Sequence, residues 1–408
     1  MTRTRTALII GGGIAGPVAA MALHKAGIDS VVYEADPSDA DGRGVFLTLA
    51  PNGIDALRVL DADAPALAAG FPTPEITLRN CTGKRLGESR TGPPLPDGTQ
   101  SHTIKRADLY RLLHQEMESR GLRVEYGKRL VAAEESGDQV RARFADGSAA
   151  VGDVLIGCDG VHSTVRRIID PAAPAPTYSG LLTTGGYARG VGVDAEPGSY
   201  EMIFGRRGFF GHAPAPDGEV WWFANLPRRD EPARGELAAV GEEEWRRRLL
   251  ELFAGDAGPA LPLIEATQQM LPFSAIHSIP HLPTWHSGRM IVIGDAAHAP
   301  SPTSGQGASL AVEDAVVLAK CLRDLPEPQA AFAQFEAARR PRVERIIKWA
   351  ARINNSKAAG PVASVFRDAM LPLILKLTAD SKAHRQTFDY HIEWDSPAKV
   401  SPSVNTRT

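Results

Sequence analysis

The chain opens with a short apolar run that leads into a cluster of glycines. Residues 7–10 are Ala-Leu-Ile-Ile, after which glycines recur until the chain becomes alanine-rich. A second apolar run, Ser30–Tyr33, is also of strand length. Short unbroken apolar runs are typical of buried parallel strands, so this pattern predicts a βαβ unit over about residues 5–35.

In the rest of the first half, the spacing of apolar residues is helical in some segments and strand-like in others. Residues 36–55 are rich in Gly, Asp and Pro, which predicts a long loop. Asp108–Gly121 carries leucines at helical spacing and ends at a glycine, as helices commonly do. Leu122–Tyr126 and Val140–Phe144 alternate as strands do, and Asp153–Gly157 predicts a buried strand that returns to the first sheet.

The pattern changes after about residue 175. Alternating segments separated by Pro-Gly and Asp-Gly turns predict an antiparallel sheet. These segments are Thr183–Val193, Ser199–Pro214 and Glu219–Leu226. Glu242–Phe253 has a helical pattern, and Arg289–Gly294 is again a buried strand. Two long helical segments follow, over about residues 306–324 and 329–356.

These elements predict an α/β fold in which a Rossmann-type dinucleotide-binding domain is interrupted by a mainly antiparallel sheet. The nucleotide domain is predicted at residues 1–175 and 286–395, where it includes the C-terminal helices. The inserted substrate domain is predicted at 176–285, and residues 396–408 are predicted to be a disordered tail. Because ligand sites favour domain boundaries, the cleft between the two layers is the expected site.

Composition and charge exclude several classes of function. The 408 residues carry a net charge of −3, so no overall positive field would recruit nucleic acid or an acidic membrane. Cys81, Cys158 and Cys321 lie far apart, which argues against a disulfide framework or a zinc site and fits a cytoplasmic protein. Met370–Leu377 is short and interrupted by a proline and a lysine, so a helix packed on the protein is expected there rather than a membrane anchor.

The glycine spacing after the first strand indicates dinucleotide binding. Gly11, Gly13 and Gly16 would allow a tight turn, a bare backbone against a pyrophosphate and close helix–strand contact. The N–H groups and the positive dipole end of the following helix would then face the phosphates. Glu34 follows about 20 residues later, where a carboxylate can accept hydrogen bonds from a ribose diol.

Two later segments also end a buried strand in paired aspartate and glycine. The first contains Asp159 and Gly160, and the second contains Asp295 followed by Gly305 and Gly307. The last two glycines precede a helix, whose N-terminal N–H groups would face whatever lies in front of them. The N1–C2=O edge of a flavin gains negative charge on reduction, and a helix N-terminus suits that charge.

With these three motifs in this order, the chain resembles the FAD-dependent aromatic hydroxylases, the single-component group A flavoprotein monooxygenases. This family includes para-hydroxybenzoate hydroxylase and the tetracycline-inactivating monooxygenases, and the resemblance covers about residues 5–350. It implies a glutathione-reductase-like FAD-binding domain, FAD as cofactor and NAD(P)H as transient electron donor. It also implies that O2 adds at the flavin C4a and that the hydroperoxide hydroxylates an aromatic or polyketide-like small molecule.

The resemblance also implies which residues contact the cofactor. The glycine motif would bind the AMP half of FAD, and Asp295 would contact the ribitol or ribose. Arg106 would lie near the ribose and pyrophosphate, Arg43 would lie along FAD, and the loop from Pro302 to Gly307 would approach the isoalloxazine. The full set is Gly11, Gly13, Gly16, Glu34, Arg43, Arg106, Asp159, Gly160, Asp295, Pro302, Gly305 and Gly307. Ser309 stands where many members have Asn, so its contact to the flavin is open. The sequence likewise leaves open NADH against NADPH and a monomer against a dimer.

Substrate contacts are expected from the aromatic residues of the inserted sheet. The candidate pocket residues are Phe204, Phe210, His212 and Trp222, together with the neighbouring Trp221 and Phe223. Phe210 and His212 share a strand face by period two, so His212 is a candidate polar contact or phenol deprotonator. The alternative interpretation is that these are core aromatics with one hydrogen-bonded histidine.

Some residues and functions have a second interpretation. His298 is expected to hydrogen-bond within its loop, and Glu313 and Asp314 are expected to be acids on the side of a helix. An FAD-dependent reductase or oxidase of isoprenoid or related secondary metabolites is the alternative activity. A binding protein on the same fold is a third, although the flavin-side loop at 294–309 argues against it.

Overall fold

The computed structural model describes residues 4–37, 44–357, 361–378 and 382–398. The strands are β1 (Thr6–Ile10), β2 (Asp29–Tyr33), β3 (Phe46–Leu49), β4 (Phe71–Pro72), β5 (Glu75–Asn80), β6 (Arg85–Arg90), β7 (His102–Lys105), β8 (Arg123–Glu125), β9 (Leu130–Ser136), β10 (Gln139–Phe144), β11 (Ala149–Gly152), β12 (Val154–Gly157), β13 (Thr177–Ala188), β14 (Glu201–Phe204), β15 (Phe209–Pro214), β16 (Val220–Pro227), β17 (Ser274–Ser278), β18 (His286–Ser287) and β19 (Met290–Val292). The helices are α1 (Ala15–Lys25), α2 (Pro51–Arg58), α3 (Ala64–Ala69), α4 (Arg106–Ser119), α5 (Thr164–Ile169), α6 (Glu242–Phe253), α7 (Ala260–Ala266), α8 (Gly307–Asp324), α9 (Pro328–Lys357), α10 (Pro361–Thr378) and α11 (Lys382–Phe388).

The first sheet has the strand order β18-β19-β12-β1-β2-β8. Its pairs are parallel except for β18 with β19, and β1 pairs with both β2 and β12. All four residues of β12 are buried, as expected for an unbroken apolar run between covering layers. The predicted βαβ unit is confirmed, and the carboxyl ends of β1, β2, β12 and β19 meet along one edge.

The second sheet has the order β17-β13-β16-β15-β14-β5-β6. Its pairs are antiparallel except for β14 with β5, which run parallel. This confirms the predicted α/β fold with an antiparallel sheet. Two strands of the second sheet, β5 and β6, come from before residue 176, and the domain boundaries themselves stay a prediction.

The two faces of the second sheet contact different layers. One face, here called the core face, packs its apolar side chains under α6 and α7, with Leu249 and Leu263 fully buried there. The other, here called the inner face, packs beside Phe46 and Phe71 from the small sheet of order β3-β7-β4. Successive side chains along a strand point to opposite faces, so neighbours in sequence belong to different layers.

Two expectations about loops and ends need correction or qualification. Residues 36–55 do not form one long loop, because β3 and the start of α2 lie inside this range. The predicted tail at 396–408 falls mostly outside the described residues, but Ala398 donates its N–H to Asp324.

As predicted for residues 370–377, α10 packs on the protein, where Leu375 lies against Gly87 of β6. Within the described ranges, no helix combines the length and the apolarity needed to cross a bilayer.

Candidate active site

The loops that follow β1, β2, β12 and β19 meet at the carboxyl edge of the first sheet, here called the cofactor edge. Backbone hydrogen bonds link them: Gly11 N–H donates to Tyr33 O, and Cys158 N–H donates to Ile10 O at 2.7 Å. In open α/β sheets, ligands bind outside this edge. The three predicted motifs, which are distant in sequence, are therefore brought together here.

The glycine loop after β1 has two positions where a side chain cannot fit. Gly11 has φ +105°, and a Cβ there would overlap the backbone carbonyl of Cys158. A Cβ on Gly16 would overlap the carbonyl oxygen of Gly11. Gly13 differs, because it is exposed and a Cβ there would meet no atom within 4 Å. The loop therefore closes tightly on the protein side and leaves open space in front of Gly13.

Glu34 lies at the end of β2 and points back to the glycine loop. Its carboxylate accepts hydrogen bonds from the N–H of Gly12 at 2.6 Å and of Asp36 at 2.9 Å. The two bonds hold the carboxylate beside the start of α1. This placement fits the ribose contact that the sequence predicts for Glu34.

Asp159 is engaged within its own loop. One oxygen accepts a hydrogen bond from Ser163 Oγ, and the other accepts from Thr164 N–H at 2.7 Å and Val165 N–H at 3.1 Å. Burial raises the pKa of the Asp159 carboxyl, although these hydrogen bonds oppose the rise. Its oxygens thus bind the N-terminus of α5. Gly160 follows with φ +73° and open space at its Cβ position, so its backbone is accessible.

The loop after β19 sits between two helix N-termini. A Cβ on Gly294 would lie 3.5 Å from Ala15 of α1 and 3.2 Å from Ala311 of α8. Asp295 is exposed although its neighbours at 291–294 and 296–300 are buried, so it faces a cleft. The surrounding protein raises the pKa of Asp295 by desolvation, against the positive charge of Arg106. The charge of Arg106 therefore favours the ionised form of Asp295.

The start of α8 presents backbone to the same cleft. Pro302 and Gly305 are exposed, and Gly305 adopts the left-handed conformation that glycine favours, with φ +60°. A Cβ on Gly307 would lie 3.9 Å from Asp295 Oδ1. The loop and the helix N-terminus after it thus border the space beside Asp295.

Of the two arginines expected along the cofactor, the structure describes only Arg106. Arg43 lies outside the described residues. Arg106 is the first residue of α4 and is exposed, and a Cβ on Gly44 would lie 2.9 Å from its Cδ. A third arginine, Arg166, is buried and donates to the carbonyls of Val161 and Ala296, so it ties the Asp159 loop to the Asp295 loop.

Ser309 is turned away from the cleft. Its side chain is buried, and its hydroxyl accepts a hydrogen bond from Ala50 N–H at 3.2 Å. A Cβ on Gly53 would lie 2.5 Å from the same oxygen. Ser309 therefore holds the start of α2 against α8.

Glu313 and Asp314 lie on the side of α8, as predicted, but this side of the helix is buried. Both side chains are fully buried, and both accept hydrogen bonds from the fully buried Arg339 of α9. Arg342 donates two further hydrogen bonds to Glu313, at 2.7 and 2.8 Å. We call these four residues the buried charge cluster.

The buried charge cluster holds the Asp295 loop in place. Asp314 accepts hydrogen bonds from Gly294 N–H at 3.0 Å and from the ring of His298. The ring of His298 therefore hydrogen-bonds to α8 rather than within its own loop, where the sequence predicts its partner. Burial acts to raise the pKa of Asp314, but the charges of His298 and Arg339 outweigh it, and the pKa is lowered. The carboxylate thus stays ionised where it binds the loop.

The expected substrate residues lie on two different faces. Phe210 and Trp222 are stacked 5.5 Å apart on the core face, and His212 is buried on the same face. His212 Nε2 lies 3.8 Å from Glu201, and burial lowers the pKa of His212 to about 4. Phe204 lies on the opposite face, with the guanidinium of Arg367 over its ring at 4.3 Å. Period two correctly grouped Phe210 with His212, but their shared face is closed by α6 and α7.

The inner face carries half-buried aromatic and sulfur side chains that the sequence did not separate from the core. Its exposed part is formed by Phe46, Tyr187, Met202 and Phe223, here called the aromatic wall. Phe46 and Phe223 have ring centroids 5.8 Å apart. The carbonyl of Val45 accepts hydrogen bonds from Tyr187 at 2.8 Å and from Arg106 N–H at 3.0 Å. Val45 therefore ties the aromatic wall to the start of α4, and Ala50, which follows β3, ties the same segment to α8 at Ser309.

Comparisons with known proteins agree with this geometry. A family model described as an FAD binding domain matches residues 4–350. Aurachin C monooxygenase/isomerase of Stigmatella aurantiaca is 32% identical over 351 residues, covering 85% of this chain and 88% of that protein. The FAD-dependent urate hydroxylase of Klebsiella pneumoniae is 33% identical over 352 residues, with coverages of 84% and 87%. The crystal structure of K. pneumoniae HpxO with FAD and uric acid has a TM-score of 0.81 at 27% identity, covering 92% of this chain and 96% of that one. The chain therefore belongs to the FAD-dependent aromatic hydroxylase family and is an FAD-dependent enzyme.

Proposed function

We propose that this enzyme is a monooxygenase that uses FAD, NAD(P)H and O2 to hydroxylate a flat, largely apolar aromatic or polyketide-like molecule. The observation that carries the proposal is the position of the aromatic wall beside the cofactor edge. Three loops of glycine and aspartate lie at the cofactor edge, and the half-buried aromatic side chains are tied to the start of α4 through the carbonyl of Val45.

The residues of the cofactor edge fit FAD. Open space in front of Gly13 and the N-terminus of α1 suit a pyrophosphate, because backbone N–H groups and the helix dipole favour negative charge. Glu34 suits the adenosine ribose, and Arg106 and Asp295 would face the ribose and ribitol. The start of α8 after Gly305 would approach the isoalloxazine.

FAD, when bound, supplies the activation of O2 for transfer of one oxygen atom. The chain's own residues would position the substrate and exclude water, which is the protein's usual share in cofactor catalysis. The N-terminal N–H groups of α8 would stabilise negative charge on the reduced ring system. The aromatic wall would keep the opposite side of the cleft dry.

The wall favours an apolar substrate over an anion such as urate. Lys105, a cation beside this face, is paired with Glu219 at 2.5 Å and lies 4.3 Å from the ring centroid of Tyr187. A cation that is already paired offers an anionic substrate little attraction. The composition of the wall therefore supports a largely apolar aromatic substrate.

The substrate role of the aromatic wall is tested by comparing substitutions on the two faces of the second sheet. We expect Phe223→Ala to raise KM about tenfold for the substrate, because a ring contact on the inner face is lost. His212→Ala, on the core face, is expected to leave KM within about twofold while lowering thermal stability. Steady-state kinetics with the identified substrate distinguish them. A rise in KM for His212→Ala with none for Phe223→Ala would instead support a substrate contact by His212.

Oxygen incorporation tests the reaction itself. We expect the purified enzyme to take up FAD, to oxidise NADH or NADPH faster in the presence of a suitable aromatic compound, and to place one atom of labelled O2 in the product. A panel of phenols and polycyclic compounds would identify the substrate class. Oxidised substrate without labelled oxygen would favour the reductase or oxidase alternative, and failure to bind FAD would refute the proposal.

The adenosine contact is tested at Glu34. We expect Glu34→Gln to raise the Kd for FAD about tenfold, since an amide cannot accept both backbone N–H groups and also bind a ribose diol. Glu125→Gln is the matched control, because Glu125 ends the neighbouring strand β8 and is exposed. Flavin fluorescence titrations measure both variants, and equal affinities would remove the ribose role.

The proposal also includes a cytoplasmic location and a monomer or dimer as the functional unit. The three cysteines are unpaired, which supports a reducing compartment. The net charge of −3 supports the absence of a nucleic-acid partner. Analytical ultracentrifugation of the FAD-loaded protein would establish the oligomeric state.

A further inference from the structure

A buried histidine on α4 contacts the glycine loop from the protein side. His114 is 4% exposed, and its Nε2 lies 2.6 Å from the carbonyl oxygen of Gly12. A carbonyl only accepts, so Nε2 carries the proton and donates. Nδ1 is then an acceptor, and Tyr126 OH lies 3.2 Å from it, which completes a consistent pattern for a neutral ring.

The ring has little freedom to leave this position. Tyr110 stacks on it with ring centroids 4.2 Å apart, and Leu113 and Met117 on the same helix are buried beside the core. The tautomer is set by Tyr126 and the ring plane by Tyr110. The hydrogen bond to Gly12 is therefore held in a fixed direction.

Because the peptide between Gly12 and Gly13 is planar, the hydrogen bond from His114 to the Gly12 carbonyl also sets the direction of the Gly13 N–H. In a trans peptide, the carbonyl of one residue and the N–H of the following residue point in opposite directions, and the described chain has no cis peptide. Pulling the Gly12 carbonyl toward α4 turns the Gly13 N–H away from α4. Gly13 itself is exposed, and a Cβ there would meet no atom within 4 Å, so there is room for a ligand beside this peptide.

The neighbouring peptide is held from the other direction. The N–H of Gly12 is bound by Glu34 at 2.6 Å, so it is not available to a phosphate. Gly13 is then the first glycine of the loop whose N–H can face the cofactor. Glu34 binds the N–H of Gly12 and His114 binds its carbonyl. These two hydrogen bonds fix the conformation of the turn between β1 and α1.

We infer that His114 is a positioning residue that aims the Gly13 N–H at the pyrophosphate of FAD. The inference rests on the proposed placement of FAD at the cofactor edge. It adds a residue outside the glycine motif to the cofactor site, and it places this residue on the same helix as Arg106. His114 itself does not touch the cofactor.

Two amide variants separate positioning from simple packing. In Gln, the amide nitrogen can occupy the place of histidine Nε2, whereas in Asn it reaches only the place of Nδ1. We expect His114→Gln to keep the Kd for FAD within about twofold of the wild type, and His114→Asn to raise it about tenfold. Thermal melting of both apoproteins shows whether each variant folds.

Fragments of the cofactor locate the effect. Titration of the full-length apoproteins with ADP and with adenosine is expected to show about a tenfold loss for ADP in His114→Asn and less than a twofold loss for adenosine. Equal FAD affinities for the Asn and Gln variants would overturn the inference, and so would equal losses for ADP and adenosine. A wild-type protein that binds FAD but does not hydroxylate would overturn only the proposed function.

Discussion

Arg339→Met is expected to lower the free energy of unfolding by about 3–5 kcal/mol. Arg339 is fully buried, donates to Asp314 at 2.6 Å and also to Glu313, and lies 5.0 Å from the ring centroid of Tyr390. Its removal leaves two buried carboxylates with Arg342 as the nearest remaining guanidinium in the cluster. An uncompensated buried charge is among the most destabilising changes known for single substitutions.

The same variant is expected to weaken FAD binding. Asp314 holds Gly294 and His298, so a shift of Asp314 would displace the loop that carries Asp295. Urea unfolding and FAD titration measure the two effects on the same protein. The cofactor edge would thus depend on a residue of α9 that lies outside the cleft.

A surface arginine provides the matched control. Arg247 pairs with Glu244 at 2.7 Å, but the two side chains are 55% and 38% exposed. Arg247→Met is expected to change stability by less than about 1 kcal/mol, because solvent screens an exposed pair. Equal effects of Arg339→Met and Arg247→Met would show that the buried charge cluster does not stabilise the fold.

Gly16→Ala is the second large effect, and we expect at least about a hundredfold loss of FAD affinity. The added Cβ would overlap the carbonyl oxygen of Gly11, which is backbone and cannot rotate away. Either α1 or the turn after β1 must move. Each tenfold in affinity corresponds to about 1.4 kcal/mol, so displacement of the helix N-terminus and the turn is enough for this loss.

Gly13→Ala distinguishes a damaged fold from a blocked site. A Cβ on Gly13 meets no protein atom within 4 Å, so the apoprotein is expected to melt within about 2 °C of the wild type. FAD affinity is still expected to fall, because the methyl group projects into the space proposed for the pyrophosphate. By contrast, Gly16→Ala is expected to lower both the melting temperature of the apoprotein and its affinity for FAD. Unchanged FAD binding by Gly13→Ala would place the pyrophosphate elsewhere.

Elements with a clear local period were predicted well from the sequence. Glu242–Phe253 was predicted with the same bounds as α6, and α8 and α9 begin within one residue of their predicted starts. Their apolar positions repeat at helical spacing, and tertiary contacts did not overrule that preference. By contrast, β3 has only four residues and no detectable period, and it was included in a predicted loop.

Several site residues could not be found by such patterns. Glu313 and its partner Arg342 are 29 residues apart and lie on different helices, so no spacing rule joins them. The contact between His114 and Gly12 spans 102 residues. By contrast, the start of α2 has a local signal, because Pro51 at its first turn is a common helix start.

Local sequence is enough to predict a backbone suited to a dinucleotide. The spacing of Gly11, Gly13 and Gly16 between a strand and a helix can be read from neighbouring residues. Which side chains face the open space beside that backbone depends on tertiary packing. Alternation along β15 groups Phe210 with His212, but only the packing of α6 and α7 reveals that this face is closed. Burial depends on what lies above a face, and that layer comes from parts of the chain distant in sequence.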